Sequence, residues 1–441
     1  MGVHANQYVS EYQDFNNIFP GQQLPWLNQL RKAALASFSK QGFPSSKDEE
    51  WRYVNFSAIE KKFFLPKPAE AIRKIDKKLI EPYQIENCFN LVLLNGRYSE
   101  QLSDISGLPS KVLLSSMTHA LQHFPKLVYE YFSKAVDSED HGFIHFNSAW
   151  FTDGWFLKLP ENIQLDKPIH IIHVATDPEV LAATRNIVVI DKNARVDLFE
   201  SYISLTDGAY LTTAVNEIFI DENAEVYFCK LQNESEKAFH FSGIYVNQEQ
   251  EAKFNHDVFS FGSQTSRNEV NTDLGCAAEC CLNGLYLGRK KQVMDNHTRI
   301  HHRMPNAISR ETYKGILDQR ARGIFQGRVI VHQDAQKTDS EMNNKNLLLS
   351  EDAEADTKPQ LEIYADDVKC AHGVTVGQLD ETSIFYLQTR SIDRETAENM
   401  LTFAFANEMI EKIQQNHFRA LVLEQLLARF PQMEIRKEWV L

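Results

Sequence analysis

The sequence is short of cysteine, of basic charge and of long apolar runs, and each shortage removes a class of function. Only six cysteines (Cys88, Cys229, Cys276, Cys280, Cys281 and Cys370) are spread over 441 residues, with no Cys-x-x-Cys pair. That argues against a disulfide framework, and the Cys-x-x-x-Cys spacing inside CAAECC (276–281) is a weak ligand signature. Lys and Arg number 46 against 60 Asp and Glu, a formal net charge of −14. Such a chain lacks the concentrated basic surface that nucleic acid requires. No apolar run approaches the ~20 residues that span a bilayer. The opening MGVHANQYVSEYQDF has neither the basic nor the apolar region of a secretory signal, and Asn6 stands where myristoylation wants Ser or Thr. A cytosolic protein is expected, with no membrane and no nucleic acid among its partners. The stretch around Gly315, Gly323 and Gly327 holds no GxGxxG and no GxxxxGK[ST], and no Gly-x-Ser-x-Gly elbow occurs. Nucleotide binding and acyl transfer by this chain are therefore unsupported.

What is present is an ordinary globular balance, 43% hydrophobic and 24% charged, in a chain long enough for two or three domains. Residues 1–160 read as a mixed, mostly helical domain. LPWLNQLRKAALASFSKQGFP has helical spacing and stops at Gly42 and Pro44, and Trp51, Tyr53 and Phe56 are expected to pack the next segment down. FNLVLLNGRYSEQLSD predicts a hairpin around Asn95-Gly96, and HALQHFPKLVYEYFSKAV a helix interrupted at Pro125.

From about residue 161 apolar alternation takes over and a repeat emerges. NIVVIDKNARVDLFE (186–200) and NEIFIDENAEVYFCK (216–230) superimpose at an offset of 30. Weaker copies begin at residues 246, 274, 317, 349 and 364, some at half that spacing. Self-similarity on this scale, in strand–turn–strand units rich in Val, Ile, Phe and Tyr, predicts a β-helix or flattened β-helical sandwich over residues 161–388. Such a stack ends in strand edges that need a cover or a partner. Residues 389–441 return to helix: Asp393 is a fitting N-cap, and Ala397, Met400, Leu401, Ala404 and Phe405 share a face. HFRALVLEQLLARF is a second amphipathic helix. These helices either cap the stack or dock a partner.

YADDVKCAHGVTVGQ (364–378) sets Cys370 and His372 two apart on a strand, facing the same way. The repeat register places Cys370 in a column with Val196, Val226, Ala252, Cys280, Gly323 and Ala355, where a thiol is a small apolar filler. His372 falls in a column of Leu198, Phe228, Phe254, Leu282, Phe325 and Thr357. An imidazole there needs a hydrogen-bond partner, or serves as a metal ligand or proton carrier. DNHTRIHHRMP (295–305) holds His297, His301 and His302 without a carboxylate at zinc-protease spacing, and a hydrogen-bonded loop is the preferred reading. Asp366 and Asp367 would suit a β-helical carbohydrate-active enzyme, but adjacent strand residues face apart and the repeat puts both in a polar turn.

HHRMPNAISRETYKGIL (301–317), GRVIVHQDAQKTDSEMNNKNLLLSEDAEADTKPQLEIYADDVKCAHGVTVGQLD (327–380) and FYLQTRSIDRETAENMLTFAFANE (385–408), with EEWRYVNF (49–56), resemble the SufB/SufD family of iron–sulfur cluster assembly proteins. The resemblance implies a right-handed parallel β-helix flanked by N- and C-terminal helical domains, without enzymatic activity of its own. It implies a SufB-like paralogue and a SufC-like ABC-type ATPase as partners, and a self-pairing edge when the chain is isolated. It points to His372, with Cys370 beside it, at the interface where nascent cluster is built. A metal at His372 would be shared with the partner, and no cofactor would be held stably by this chain alone. It places Arg390, Met400, Phe403 and Phe405 in or near the ATPase contact. Ser391 stands where the family commonly has Gly, and Ala307 where many members have Cys. Two rival readings remain: the carbohydrate-active enzyme, and an adaptor with an inert Cys370–His372 pair.

Overall fold

Two long parallel sheets face each other and share one interior. The computed structural model describes residues 3–54, 59, 62–136 and 141–429; Phe56 lies outside them. The chain enters through helices α1 (Val3–Glu11) and α2 (Pro25–Gln41). The latter ends as its sequence dictates, on Gly42 at φ 68°. The hairpin forms between β1 (Phe89–Leu94) and β2 (Arg97–Tyr98), with Asn95 and Gly96 both at positive φ. After β3 (Leu113–Ser116), Pro125 divides α3 (Met117–His123) from α4 (Pro125–Tyr131), as expected of its missing N–H. Helix α5 (Gly142–Trp150) and β4 (Trp155–Leu159) lead into the solenoid strands β5 (Ile169–Ala175), β6 (Leu181–Ile190), β7 (Arg195–Ser204), β8 (Leu211–Ile220), β9 (Glu225–Asn233), β10 (Phe239–Gln248), β11 (Lys253–Ser260), β12 (Thr265–Leu274), β13 (Glu279–Gly288), β14 (Val293–His302), β15 (Ile308–Leu317), β16 (Arg322–Val331), β17 (Asp339–Leu348), β18 (Glu354–Ile363) and β19 (Lys369–Gly377). Helices α6 (Glu381–Gln388), α7 (Arg394–Ile410) and α8 (Asn416–Leu427) follow.

Strands alternate between the sheets, so one coil is one strand from each. The ten-stranded sheet runs β19-β17-β15-β13-β11-β9-β7-β5-β1-β2 and the nine-stranded sheet runs β18-β16-β14-β12-β10-β8-β6-β4-β3. The 30-residue offset of the sequence is the coil: Val196 pairs with Val226 in parallel register. At the corners a left-handed residue precedes a buried alanine, as in Asn193–Ala194, Asn223–Ala224, Glu251–Ala252, Ala277–Ala278 and Asn306–Ala307. Asn tolerates that conformation, and only a methyl group fits the inside of the bend. Ala307 is one rung of this alanine ladder.

The three largest apolar cores among the described residues join the sheets to each other and to the helices. Between the sheets lie Leu91, Leu157, Ile171, Val226, Phe254, Leu282, Tyr313 and Met342. The N-terminal helices cover the outside of the nine-stranded sheet through Phe38, Phe143 and Trp150 against Leu211, Phe239 and Phe241. Trp51, in the motif EEWRYVNF, stacks 3.4 Å from the guanidinium of buried Arg267, which also pairs with Asp295 at 2.9 Å. The C-terminal helices cover the outside of the ten-stranded sheet, with Met409, Ile410, Phe418 and Val422 against Phe199, Tyr227, Phe259 and Leu285. Asp393 caps α7, accepting from the Thr396 N–H at 3.0 Å. Helix α7 seats Ala397, Ala406, Met409 and Ile410, whereas Ala404, placed on the packing face from spacing alone, is exposed.

The two ends of the solenoid differ. At the near end, short antiparallel β2 and β3 close the sheet edges. At the far end, β18 (Glu354–Ile363) and β19 are full-length edge strands with no further strand beside them among the described residues.

Candidate functional site

The far end is where the singled-out residues sit. β19 pairs in parallel with β17 (Asp339–Leu348), and the register sets Ser340 beside Cys370, Met342 beside His372, Asn344 beside Val374 and Asn346 beside Val376. Ser340, Met342, Asn344 and Asn346 are buried, Met342 in the interior core. Cys370, His372, Val374 and Val376 therefore form the next rung of the inward face, with no coil above to cover it among the described residues. His372 is exposed, while Val374 and Val376 are 40% and 46% exposed. Cys370 is half-buried against the interior core. Burial pushes its thiol pKa up, the charge of Asp339 adds to that, and the Ser340 backbone N–H works against both.

The register corrects the columns expected from the repeat. Cys370 follows Val196, Val226, Phe254, Cys280, Ser309 and Ser340. Ala252 is a corner residue two positions earlier, and Gly323 and Ala355 pair with each other in the opposite sheet. His372 follows Leu198, Phe228, His256, Leu282, Glu311 and Met342. That column is apolar at one end and carries an imidazole and a carboxyl toward the other. Glu311 is buried with neither oxygen well hydrogen-bonded. Burial pushes its carboxyl up to about 8, with the Thr298 hydroxyl pulling weakly the other way. Spacing within a single segment could not have found it.

The His-rich stretch is not a loop: residues 293–302 are strand β14 (Val293–His302). Alternation then separates the three histidines. His297 faces outward and contacts Asp295 Oδ1 at 2.9 Å beneath the N-terminal segment. His301 also faces outward and meets His332 of the next coil, Nδ1 to Nε2 at 3.3 Å. His302 turns inward to Ser309 Oγ at 2.9 Å, and the Ser309 hydroxyl donates to Ser340 Oγ at 2.8 Å. A buried polar chain thus reaches the rung below Cys370. His332 was invisible to sequence spacing because it is 31 residues from its partner.

Elsewhere the expectations disperse. Cys276 lies in a turn, while Cys280 and Cys281 fall on opposite faces of β13 (Glu279–Gly288), so CAAECC converges on nothing. Asp366 and Asp367 occupy an exposed turn. Among the described residues, no three His, Cys, Asp or Glu are arranged to hold a metal ion. Arg390 is exposed, its guanidinium 3.6 Å from the centre of the Tyr386 ring. Met400 is half-buried, and Phe403 and Phe405 lean on the ten-stranded sheet's outer core. Lys314 lies 4.4 Å from the Phe405 ring and bonds its carbonyl at 3.0 Å. No described helix is long and apolar enough to cross a membrane.

Two family models match the chain: the core domain of the SufBD proteins of SUF-system FeS cluster assembly over residues 173–405, and the SufBD N-terminal region over residues 3–171. An iron–sulfur cluster assembly SufBD family protein of Synechocystis is 30% identical over 426 residues, 93% of each chain. The iron–sulfur cluster assembly protein SufD of Escherichia coli is 30% identical over 410 residues, 90% of this chain and 92% of its own. SufD of Bacillus subtilis is 25% identical over 408 residues, 89% of this chain and 91% of its own.

Proposed function

The chain belongs to the SufB/SufD family of iron–sulfur cluster assembly proteins, and we propose that it works there as a non-catalytic cytosolic subunit, completing a cluster-building site with a SufB-like paralogue. One observation carries the reading: the inward face of the last coil is bare, and His372 is the imidazole on it. A related solenoid can continue both sheets across that end, with affinity drawn from main-chain hydrogen bonds along β18 and β19. Stacking its first coil on the rung of Cys370, His372, Val374 and Val376 would bury the valines and bring the partner's own side chains to the thiol and imidazole. Thiolate and imidazole both suit iron, but two donors fall short of the four a cluster takes, so the remaining ligands are assigned to the partner. The nascent cluster is cargo of the seam, not a resident group of this chain.

A SufC-like ABC-type ATPase is placed on the C-terminal helices, at the exposed side of α6 and α7 around Arg390 and Met400. Phe403 and Phe405 support that surface from below rather than forming it. The test is His372→Ala in a strain that depends on this pathway, with assembly of the complex checked in parallel. Loss of cluster production from an intact complex is expected. Full cluster production would remove the composite site and leave an adaptor with an inert pair.

A further inference from the structure

The contact between His301 and His332 serves neither the seam nor the cores. His301 points outward from β14, and His332 is the first residue after β16 (Arg322–Val331), its N–H bonded to the His302 carbonyl at 3.0 Å. That backbone bond fixes how the two rings approach. Their planes lie 24° apart with centroids at 5.5 Å, and Nδ1 of His301 is 3.3 Å from Nε2 of His332. Two imidazoles on a tetrahedral ion at ~2.0–2.1 Å place their nitrogens about 3.4 Å apart. The separation that serves a shared proton therefore also serves a shared cation.

We propose that His301 and His332 form a two-imidazole site for a borderline divalent cation such as Zn²⁺ or Ni²⁺, on the outer face of the solenoid one coil from its open end. The donors are in the right state. Burial lowers the pKa of His301 to about 4, and burial lowers that of His332 as well, so both rings offer a lone pair at neutral pH. The proton now shared between them moves to the far nitrogen of its own ring when the ion enters. Both rings are half-buried, and His301 lines an open cleft of about 220 Å³ with Asn271 and Asp273.

Asp273, on β12 (Thr265–Leu274), pairs in register with His301, and its charge raises the pKa of both rings. Its Oδ1 is held by Arg303 Nε at 2.7 Å, so the carboxylate stays with the guanidinium and the two imidazoles are the protein ligands. Arg299 and Arg303 also face His301 and oppose a cation. The site is thus an exchanging one, with water in the remaining positions, unlike a closed four-ligand structural site. Two imidazoles select against Mg²⁺ and Ca²⁺, which require oxygen donors.

The full chain is labelled with diethyl pyrocarbonate, with and without excess Zn²⁺, and each histidine is followed by peptide mass spectrometry. The expected result is several-fold slower labelling of His301 and His332 together in Zn²⁺, and no change in Mg²⁺. His332→Gln should return His301 to its metal-free rate. His119→Gln, which breaks a separate stacked pair with His123, should leave the protection intact. Equilibrium dialysis reads the same site without labelling: His301→Gln and His332→Gln should each lose one equivalent of bound Zn²⁺ relative to wild type. Unchanged labelling in Zn²⁺ with unchanged stoichiometry in both variants overturns the site, as does protection of His301 that survives His332→Gln.

Discussion

Glu311 shows how a single carboxyl in the solenoid interior couples folding to pH. Its pKa of about 8 lies above that of an unfolded glutamate, so the folded state holds a proton the unfolded chain gives up. The stability linked to that proton is complete below the unfolded value of 4.5 and is lost as pH rises through about 8. Buried His256 and His302 work on the acid side. Burial pulls each down to about 4, so their contribution is present above the free imidazole value of 6.5 and fades as pH falls through 4. Urea midpoints should fall between pH 6 and pH 9, and Glu311→Gln should flatten that slope, recovering on the order of a few kcal/mol at the alkaline end. A wild-type midpoint that holds steady to pH 9 would mean the carboxyl is solvated. Cys370 and His372 were legible because alternation on one strand needs no partner strand. Glu311 and His332 were not, because their neighbours are set by register. A buried alanine occurs at corners of both kinds, Ala252 where the chain enters the ten-stranded sheet and Ala321 where it enters the nine-stranded one, so the repeat alone does not say which sheet a segment joins.

Among the elements, the C-terminal helices serve the fold as well as any partner. The Phe418 ring stacks on Phe199 at 4.5 Å within a core that also holds Ile413, Leu421 and Leu426. Phe418→Ala should cost roughly 3–5 kcal/mol, measured by chemical denaturation. Cutting the chain after residue 388 would strip this cover from Phe199, Tyr227, Phe259 and Leu285, so truncation confounds docking with folding. Point substitution separates them: Arg390→Glu should weaken ATPase binding while leaving the melting temperature within a degree or two, and unchanged binding would move the contact elsewhere. Ser391, in the turn between α6 and α7, sits at φ 65°, a conformation that glycine adopts freely and a side chain resists. Ser391→Gly should therefore leave the turn intact and raise stability by up to ~1 kcal/mol. The N-cap at Asp393, the break at Pro125 and the Asn95-Gly96 hairpin were readable because each is decided by its own few residues. The face on which α7 packs was not, since tertiary contact with the sheet selects it.

For the whole molecule, the asymmetry of the two ends is the property on which assembly turns. Antiparallel β2 and β3 close one end, whereas β18 and β19 leave the other as an unfinished interior, with Ile363 41% and Tyr364 62% exposed at the end of β18 and the two valines exposed on β19. A chain with net charge −14 stays apart from its copies by repulsion at long range. Close stacking then depends on the local apolar face and the free strand edges. Under the proposed function the same face would take a SufB-like partner and, when the chain is alone, a second copy. Val374→Lys tests both at once. The side chain points into the bare rung, where solvent accepts an ammonium group in the isolated chain, so stability should change by no more than ~0.5 kcal/mol. Any solenoid stacked on that rung would have to bury the charge against apolar neighbours without a counter-ion. Sedimentation should show the variant as a folded monomer that fails to join the paralogue at concentrations where wild type does. If the variant assembles as well as wild type, the partner approaches by another surface, and the exposed rung is an end rather than a seam.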